Sequence, residues 1–386
     1  MVADAALPKG RVGAHPRNKG QIVLVLQGGG ALGAYQAGVY QAMHEAGIEP
    51  DWVIGTSIGA INASLIAGNA VADRMDRLHE FWARVEHGPM ARAFGALPFV
   101  GLAMSSLMTM MQGVPGFFEP NLRSFGGAHV SLGPEAAGYY STAPLAATLA
   151  ELIDFSLVKA CQPRLTVGAA NVRTAEMRYF DSRETALDLR HVLASGALPP
   201  AFPAVRIGQE LYWDGGILSN TPVETVFDDM PRRDSVVFAV HVWNPNGPEP
   251  DTMWQVLHRQ KDIQYSSRAA SHIARQRQMH KLRHVIAELA RRVPEPLRSD
   301  PLTRELAAYG CLTRMHVVRL LAPSLDGEDH TKDIDFSAAG IRARWDAGYR
   351  DTCAMLEQSP WEAEIDPLEG FVLHETRAGA VVTPAS

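Results

Sequence analysis

Cysteine is scarce in this chain of 386 residues: Cys161, Cys311 and Cys353 stand far apart, with no C-x-x-C spacing. That excludes a disulfide framework and fits the reduced thiols of a cytoplasmic protein. The histidines show no metal-ligand spacing either, so no metal is expected. Positive charge is in deficit, with a formal net charge of −6, which excludes a dedicated nucleic-acid binder. No Lys or Arg occurs between Lys19 and Arg74, so that segment belongs deep inside the fold. Long hydrophobic runs are missing. The nearest candidate, residues 93–118, carries no charge but is broken by Pro98, Gly101, Gly113, Pro115 and Gly116. A membrane-spanning helix needs about 20 unbroken apolar residues. Residues 1–20 have charges but no apolar signal-peptide core, and are expected to form a flexible tail rather than a leader or an anchor.

What is present is an α/β alternation. With 46% hydrophobic residues the chain can bury a large core. IVLVL (22–26) reads as a buried parallel strand, 33–46 as a helix, WVIG (52–55) as a second strand and 58–68 as a second helix. Further strands are expected at 164–171, 177–181, 211–214, 235–243 and 315–322. This order predicts a mainly parallel sheet with helices on both faces. The end, HETRAGAVVTPAS, reads as a second loose tail.

Two glycine motifs follow the first two strands. In LVLQGGGALGAYQAG, Gly28, Gly30 and Gly33 spell the dinucleotide pattern G-x-G-x-x-G. A nicotinamide site would add an acid about 20 positions on, at the end of the second strand. Asp51 precedes that strand instead, so the fingerprint is incomplete. The second motif, GTSIG (55–59), is a nucleophile elbow: a sharp strand-to-helix turn thrusts Ser57 above the sheet, and Gly55 and Gly59 leave it room. The pattern alone is weak, and an idle serine in a tight turn also satisfies it. Its place between a strand and a helix strengthens it. With Ser57 as an acyl-transfer nucleophile, backbone N–H groups of Gly28, Gly29 and Gly30 would hold the tetrahedral oxyanion.

Ser57 then needs a base. YWDGGILSNTP (212–222) sets Asp214 at a strand end before Gly215 and Gly216. An Asp-Gly pair also opens loops routinely, so this motif alone leaves both readings standing. A triad through His241 is a further option, but His241 sits inside the strand SVVFAVHVW and reads as a hydrogen-bonded core histidine.

GGGALG, GTSIG and DGG in this order resemble the patatin-like phospholipase family, as do ASGALPPAFPAV (194–205) and NTPVE. The resemblance implies a three-layer α/β/α patatin-like fold with a mainly parallel central sheet. It also implies a Ser57–Asp214 dyad, an oxyanion loop at Gly28–Gly30, and cleavage of carboxylic esters of lipids without a metal or organic cofactor. The domain would span 21–357, with core motifs in 21–245, a mainly helical extension with one late strand in 246–357, and a tail at 358–386. The sequence departs from the family in one place: Leu32 stands where the family commonly carries Arg or Lys. The competing function is a catalytically idle lipid-binding or scaffolding protein on the same fold.

Two segments bear on how lipid is met. The Met-rich stretch within 93–118 reads either as a lid or acyl-chain wall, or as an ordinary buried helix. Residues 254–293 hold nine Lys/Arg against two acids, a net +7 that leaves −13 on the remainder. Such a helix can attract an anionic membrane surface peripherally; the plainer reading is a solvated helix pairing with its own acidic body.

Overall fold

In the computed structural model, the described residues are 14–87, 109–127, 129–325, 328, 330–366, 368–377 and 380–382. Residues 1–13 and 383–386 of the expected tails, and 93–108 of the uncharged stretch with Met108, lie outside them.

The first half follows the expected order closely: β1 (Gln21–Leu26), α1 (Ala34–Glu45), β2 (Trp52–Thr56), α2 (Ile58–Ala67) and α3 (Arg74–Arg84). A short ladder of β3 (Glu119–Pro120) with β4 (Tyr140–Ser141) precedes α4 (Ala143–Leu152). Then come β5 (Arg164–Asn171), β6 (Met177–Asp181), α5 (Leu189–Ser195), β7 (Val205–Ile207), β8 (Glu210–Asp214), α6 (Glu224–Asp228) and β9 (Ser235–His241). The second half adds α7 (Met253–Arg292), β10 (Met315–Leu321), α8 (Ala338–Gln358), β11 (Phe371–Arg377) and β12 (Ala380–Val382).

The main sheet runs β12-β11-β10-β9-β1-β2-β5-β8-β7, with β6 on the other edge of β5. From β11 to β5 every pairing is parallel. β12, β6, β8 and β7 join antiparallel. β1 shows why the strands read as unbroken apolar runs. Ile22, Leu24 and Leu26 face a core shared with α1, α2, α3 and α8. Val23 and Val25 face a second core completed by Val226 and Phe227 of α6 and Ile273 of α7. Helices therefore cover both faces, which gives three layers. α2 is buried along its whole length, consistent with its lack of charge.

Two expectations at the chain ends change. Trp361 Nε1 donates to Ala14 O at 2.8 Å, and Arg17 pairs with Asp51 at 2.8 Å, so the last part of the N-terminal segment is docked. The C-terminal segment supplies β11, parallel to β10, with Phe371 and His374 buried and the His374 ring stacked on His316. Phe371 and His374, three positions apart, are buried on opposite faces of the strand, and the flank of β10 gave it a partner.

α7 is helical over 40 residues. Its basic side chains reach the chain's own acids: Arg277 and Lys281 to Glu369, Arg283 to Asp228 and Lys261 to Asp333. Among the described residues no helix is long and apolar enough to cross a membrane.

α1 and α8 cross at reciprocal glycines. A Cβ on Gly38 would stand 1.9 Å from Trp345 O, and one on Gly348 2.0 Å from Tyr35 O. Gly348→Ala must force the helices apart. Overpacking of this kind costs roughly 1–3 kcal/mol, so thermal melting should show a clear drop in Tm.

Candidate active site

The site begins with how β5 uses one of its edges. β2 pairs with β5 as far as Thr56 opposite Gly168. β6 occupies the opposite edge over Thr166–Ala170. β8 must therefore take up the β2 edge where β2 leaves it, and Asp214 sits opposite Ala169. Ser57, the residue after Thr56, and Asp214 thus meet one step apart along a shared edge, although 157 positions separate them in sequence.

Ser57 has φ +57° and ψ −128°, in the left-handed half of the map, at the N-cap of α2. Strain of about 1–3 kcal/mol is stored in such a non-glycine conformation. The flanking glycines permit it: a Cβ on Gly55 would meet the Gly59 carbonyl at 2.3 Å, and one on Gly59 would meet Leu26 O at 2.2 Å. The Ser57 amide donates to both Ser195 Oγ (3.0 Å) and Ser195 O (3.1 Å). Ser195 Oγ donates in turn to Gly168 O at 2.6 Å. Two residues on, Ala197 O accepts from Asp214 N at 2.9 Å. The segment after α5 therefore fastens both partners. It lies in the ASGALPP stretch, where sequence reasoning saw a family likeness and assigned no role.

Asp214 is buried, and its Oδ1 accepts from Gly216 N at 2.7 Å. Burial pushes its carboxyl up to about 7, against the pull of hydrogen bonds from the Ser57 hydroxyl and the Gly216 N–H. Gly215 packs flat on β5, where a Cβ would come within 2.6 Å of Gly168 O. A Cβ on Gly216 would stand 3.0 Å from Asp214 Oδ1.

The glycine loop divides. Gly28 donates its N–H to Asn220 O at 3.1 Å, so that group is already committed. Its carbonyl accepts from Asn220 Nδ2 (3.1 Å) and from Trp243 Nε1 (2.8 Å). The N–H groups of Gly29 and Gly30 have no such partner among the described residues. The expected trio of donors becomes two. Gly30 has φ +56°, and a Cβ there would strike Asp333 O at 2.2 Å. Asn220 and Trp243 carried no sequence signal of this role, because their partner is a carbonyl some 200 residues away.

All three glycines, Ser57 and Asp214 line one cavity of about 290 Å³. Its remaining wall is largely apolar, with Ile58, Ile61, Met110, Leu198 and an aromatic group of Phe117, Phe118, Tyr140, Phe202 and Phe336. Phe118 meets Phe202 edge-on with ring centroids 5.5 Å apart. The described end of the uncharged stretch, residues 109–118, is thus part of this wall.

Other sequence candidates fall away from the site. His241 is fully buried, and neither ring nitrogen has a hydrogen bond among the described residues. It is a core histidine, as expected, but an unbonded one, and burial holds it well below its ordinary value. It makes no hydrogen bond to Ser57 or Asp214. Asp51 accepts from Ile22 N at 2.8 Å, at the start of β1 and opposite the glycine end, which agrees with the rejection of a dinucleotide site.

Behind the glycine loop, two Lys-Asp pairs exchange partners. Lys261 bonds Asp333 at 2.7 Å, and Asp262 bonds Lys332 at 2.7 Å. Lys332 lies 5.4 Å above the Trp243 ring. It also lines a cleft beside Leu32 together with Arg344, so cations from the far end of the chain stand near the position where the family carries its own. Lys332 and Asp262 are both buried. Lys332→Ala would take the lysine from the buried Asp262 carboxylate, leaving it His258 Nε2 at 3.1 Å, at a cost of about 3–5 kcal/mol. Urea unfolding should show this loss, and the double variant Lys332→Met, Asp262→Leu should recover most of it.

Comparison with known proteins completes the picture. A family model described as Patatin-like phospholipase matches residues 24–227, and a second, described as Patatin phospholipase, matches 263–368. "Lysophospholipase nte1" of Aspergillus terreus is 49% identical over 63 residues, which is 16% of this chain and 4% of that protein. "Patatin-like phospholipase domain-containing protein 6" of Mus musculus and of Homo sapiens are each 44% identical over 63 residues, again 16% of this chain and 5% of theirs. Among solved structures, VipD from Legionella pneumophila aligns with a TM-score of 0.32 and 16% identity, over 90% of this chain and 72% of that one.

Proposed function

This chain belongs to the patatin-like phospholipase family, and from that premise we propose that it is a serine lipid acyl hydrolase acting through Ser57 and Asp214. One observation carries the reading: a serine in a strained backbone conformation and a buried aspartate, its carboxyl pushed up to about 7 by burial, line the same largely apolar cavity.

The chemistry follows from the geometry. Ser57 Oγ attacks the ester carbonyl carbon, and its proton passes to Asp214. The carbonyl oxygen takes the negative charge and is held by the N–H groups of Gly29 and Gly30, with the N-terminal end of α2 adding its dipole. Collapse expels the alcohol, which takes the proton from Asp214. Water then attacks the acyl-serine, gives its proton to Asp214 and releases the carboxylic acid as Ser57 regains its own proton. A carboxylate is a weak base in water, and desolvation makes this one better matched to neutral pH. Esters suit such a dyad more than amides, because an alkoxide leaves with less need of a strong acid. The aromatic and aliphatic wall fits a fatty-acyl chain.

The working form is the carboxylate. kcat/KM for p-nitrophenyl esters should rise through an inflection near pH 7 and fall below it as Asp214 is protonated. Ser57→Ala and Asp214→Asn should each abolish turnover. Wild-type protein should be labelled at Ser57 by a fluorophosphonate, and lack of labelling would favour an idle lipid-binding protein instead.

The same shift has a stability sign. A folded value above the ordinary 3.8 means the native state prefers the proton. Stability from this group is full below about pH 4 and is lost as pH rises through about 7. Asp214→Asn should therefore flatten the decline in Tm between pH 5 and pH 8.

A further inference from the structure

The hydrolase reading leaves open what aims the oxyanion donors, and this inference rests on that reading. The peptide joining Gly28 to Gly29 is trans, because the cis bonds of the described chain all precede proline. In a trans peptide the C=O and the following N–H point in opposite directions. The Gly28 carbonyl is drawn inward by two buried donors, Asn220 Nδ2 and Trp243 Nε1. The Gly29 N–H must then point away from both. Gly28, Gly29, Ser57, Asn220 and Trp243 all line one cavity, and the Gly29 N–H, which has no acceptor among the described residues, is a donor left for a bound group there.

We infer that Asn220 and Trp243 are positioning residues of the oxyanion hole: together they clamp the Gly28 carbonyl so that the Gly29 N–H is aimed at the substrate before it binds. Each clamp residue is itself held. Gln27 Oε1 accepts from the backbone N–H of Val242 (2.6 Å) and of Trp243 (3.1 Å). Gln27 Nε2 donates to Thr221 Oγ1 at 2.7 Å, next to Asn220. The indole stacks on Tyr265 with ring centroids 4.9 Å apart. Asn220 also returns its own carbonyl to Gly28 N, so the loop is gripped on both sides of one residue. A loop of three glycines has little stiffness of its own, and free rotation of this peptide would scatter the donor. The clamp removes that freedom ahead of the reaction, which is where preorganised donors gain their effect.

The test uses Trp243→Phe, which keeps a ring on Tyr265 and deletes the N–H, and Asn220→Ala. Loss of a complete oxyanion donor costs about 100- to 1000-fold in kcat. Misaiming one donor by deleting half of its clamp should cost less, about tenfold in each variant. KM should stay within about twofold, and the pH inflection near 7 should not move. The discriminating readout is the rate ratio between an oxo-ester and its thiono-ester. Sulfur is a poor acceptor, so a thiono-ester gains little from an oxyanion hole, and the ratio should fall in both variants. If Asn220→Ala does not fold, Trp243→Phe alone decides. Unchanged kcat in Trp243→Phe overturns the inference, as does an equal loss on oxo- and thiono-ester or a displaced pH inflection, and the dyad stands in each of these cases. If wild-type protein neither turns over esters nor takes up a fluorophosphonate, the hydrolase reading fails and the inference falls with it.

Discussion

The site depends on one strand edge divided between two neighbours. β5 is paired by β2 up to Gly168 and by β8 from Ala169 on, and both chains change direction at that junction. One turn delivers Ser57 and the other Asp214. Neither motif could do this alone, since GTSIG fixes only a local elbow and DGG only a local turn. The register brings the two local turns side by side on one edge of β5. Ser195 and Ala197 then stitch the junction by bonding the amide of each partner. Because the backbone is fastened on both sides, the strain at Ser57 is borne by the sheet and not relieved by a shift of the elbow.

The carboxylate illustrates a trade between stability and chemistry. An exposed aspartate would be ionised far below neutral pH and would hold a proton too weakly to serve as a base. Asp214 is out of water, with the Gly216 N–H donating to it and the Ser57 side chain beside it, and burial pushes its carboxyl up against their pull. The buried Asp262, by contrast, has Lys332 at 2.7 Å and His258 at 3.1 Å. The surroundings of the two buried acids thus differ: one has a lysine ammonium against it, the other has the Gly216 N–H and the Ser57 side chain.

Much of this was legible in the sequence where the signal is local. β1, β2, β5, β6, β8, β9 and β10 lie where apolar runs bounded by turn residues predicted strands. The elbow glycines were legible because they flank Ser57 in a short local pattern, although the contact that requires Gly59 is with Leu26 of β1. The commitment of the Gly28 N–H was not, since its acceptor is Asn220 O, 192 positions away. The same holds for Ser195 and Trp243, ordinary residue types whose role comes from what the fold carries to them. β11 was missed for a related reason. Its polar positions resemble a tail until the flank of β10 is seen to need a neighbour. His241 shows the converse error: burial was legible, but a hydrogen bond was assumed that the strand does not supply.

Within the single domain expected over 21–357, the helical extension after residue 245 reaches the cavity as well. Tyr265 of α7 stacks on Trp243, whose indole holds the glycine loop. Asp333 O backs Gly30 at a distance that no side chain could share. Ile334 and Phe336 continue the apolar wall begun by Phe117 and Phe202. The crossed Lys-Asp pairs join these two late segments to each other, so neither can drift without the other. The region matched by the second family model therefore contributes the rear and part of the side of the same cavity. The motif half of the chain contains Ser57 and Asp214, but a loop of consecutive glycines needs something rigid to lean on, and in this protein that support comes from the other half.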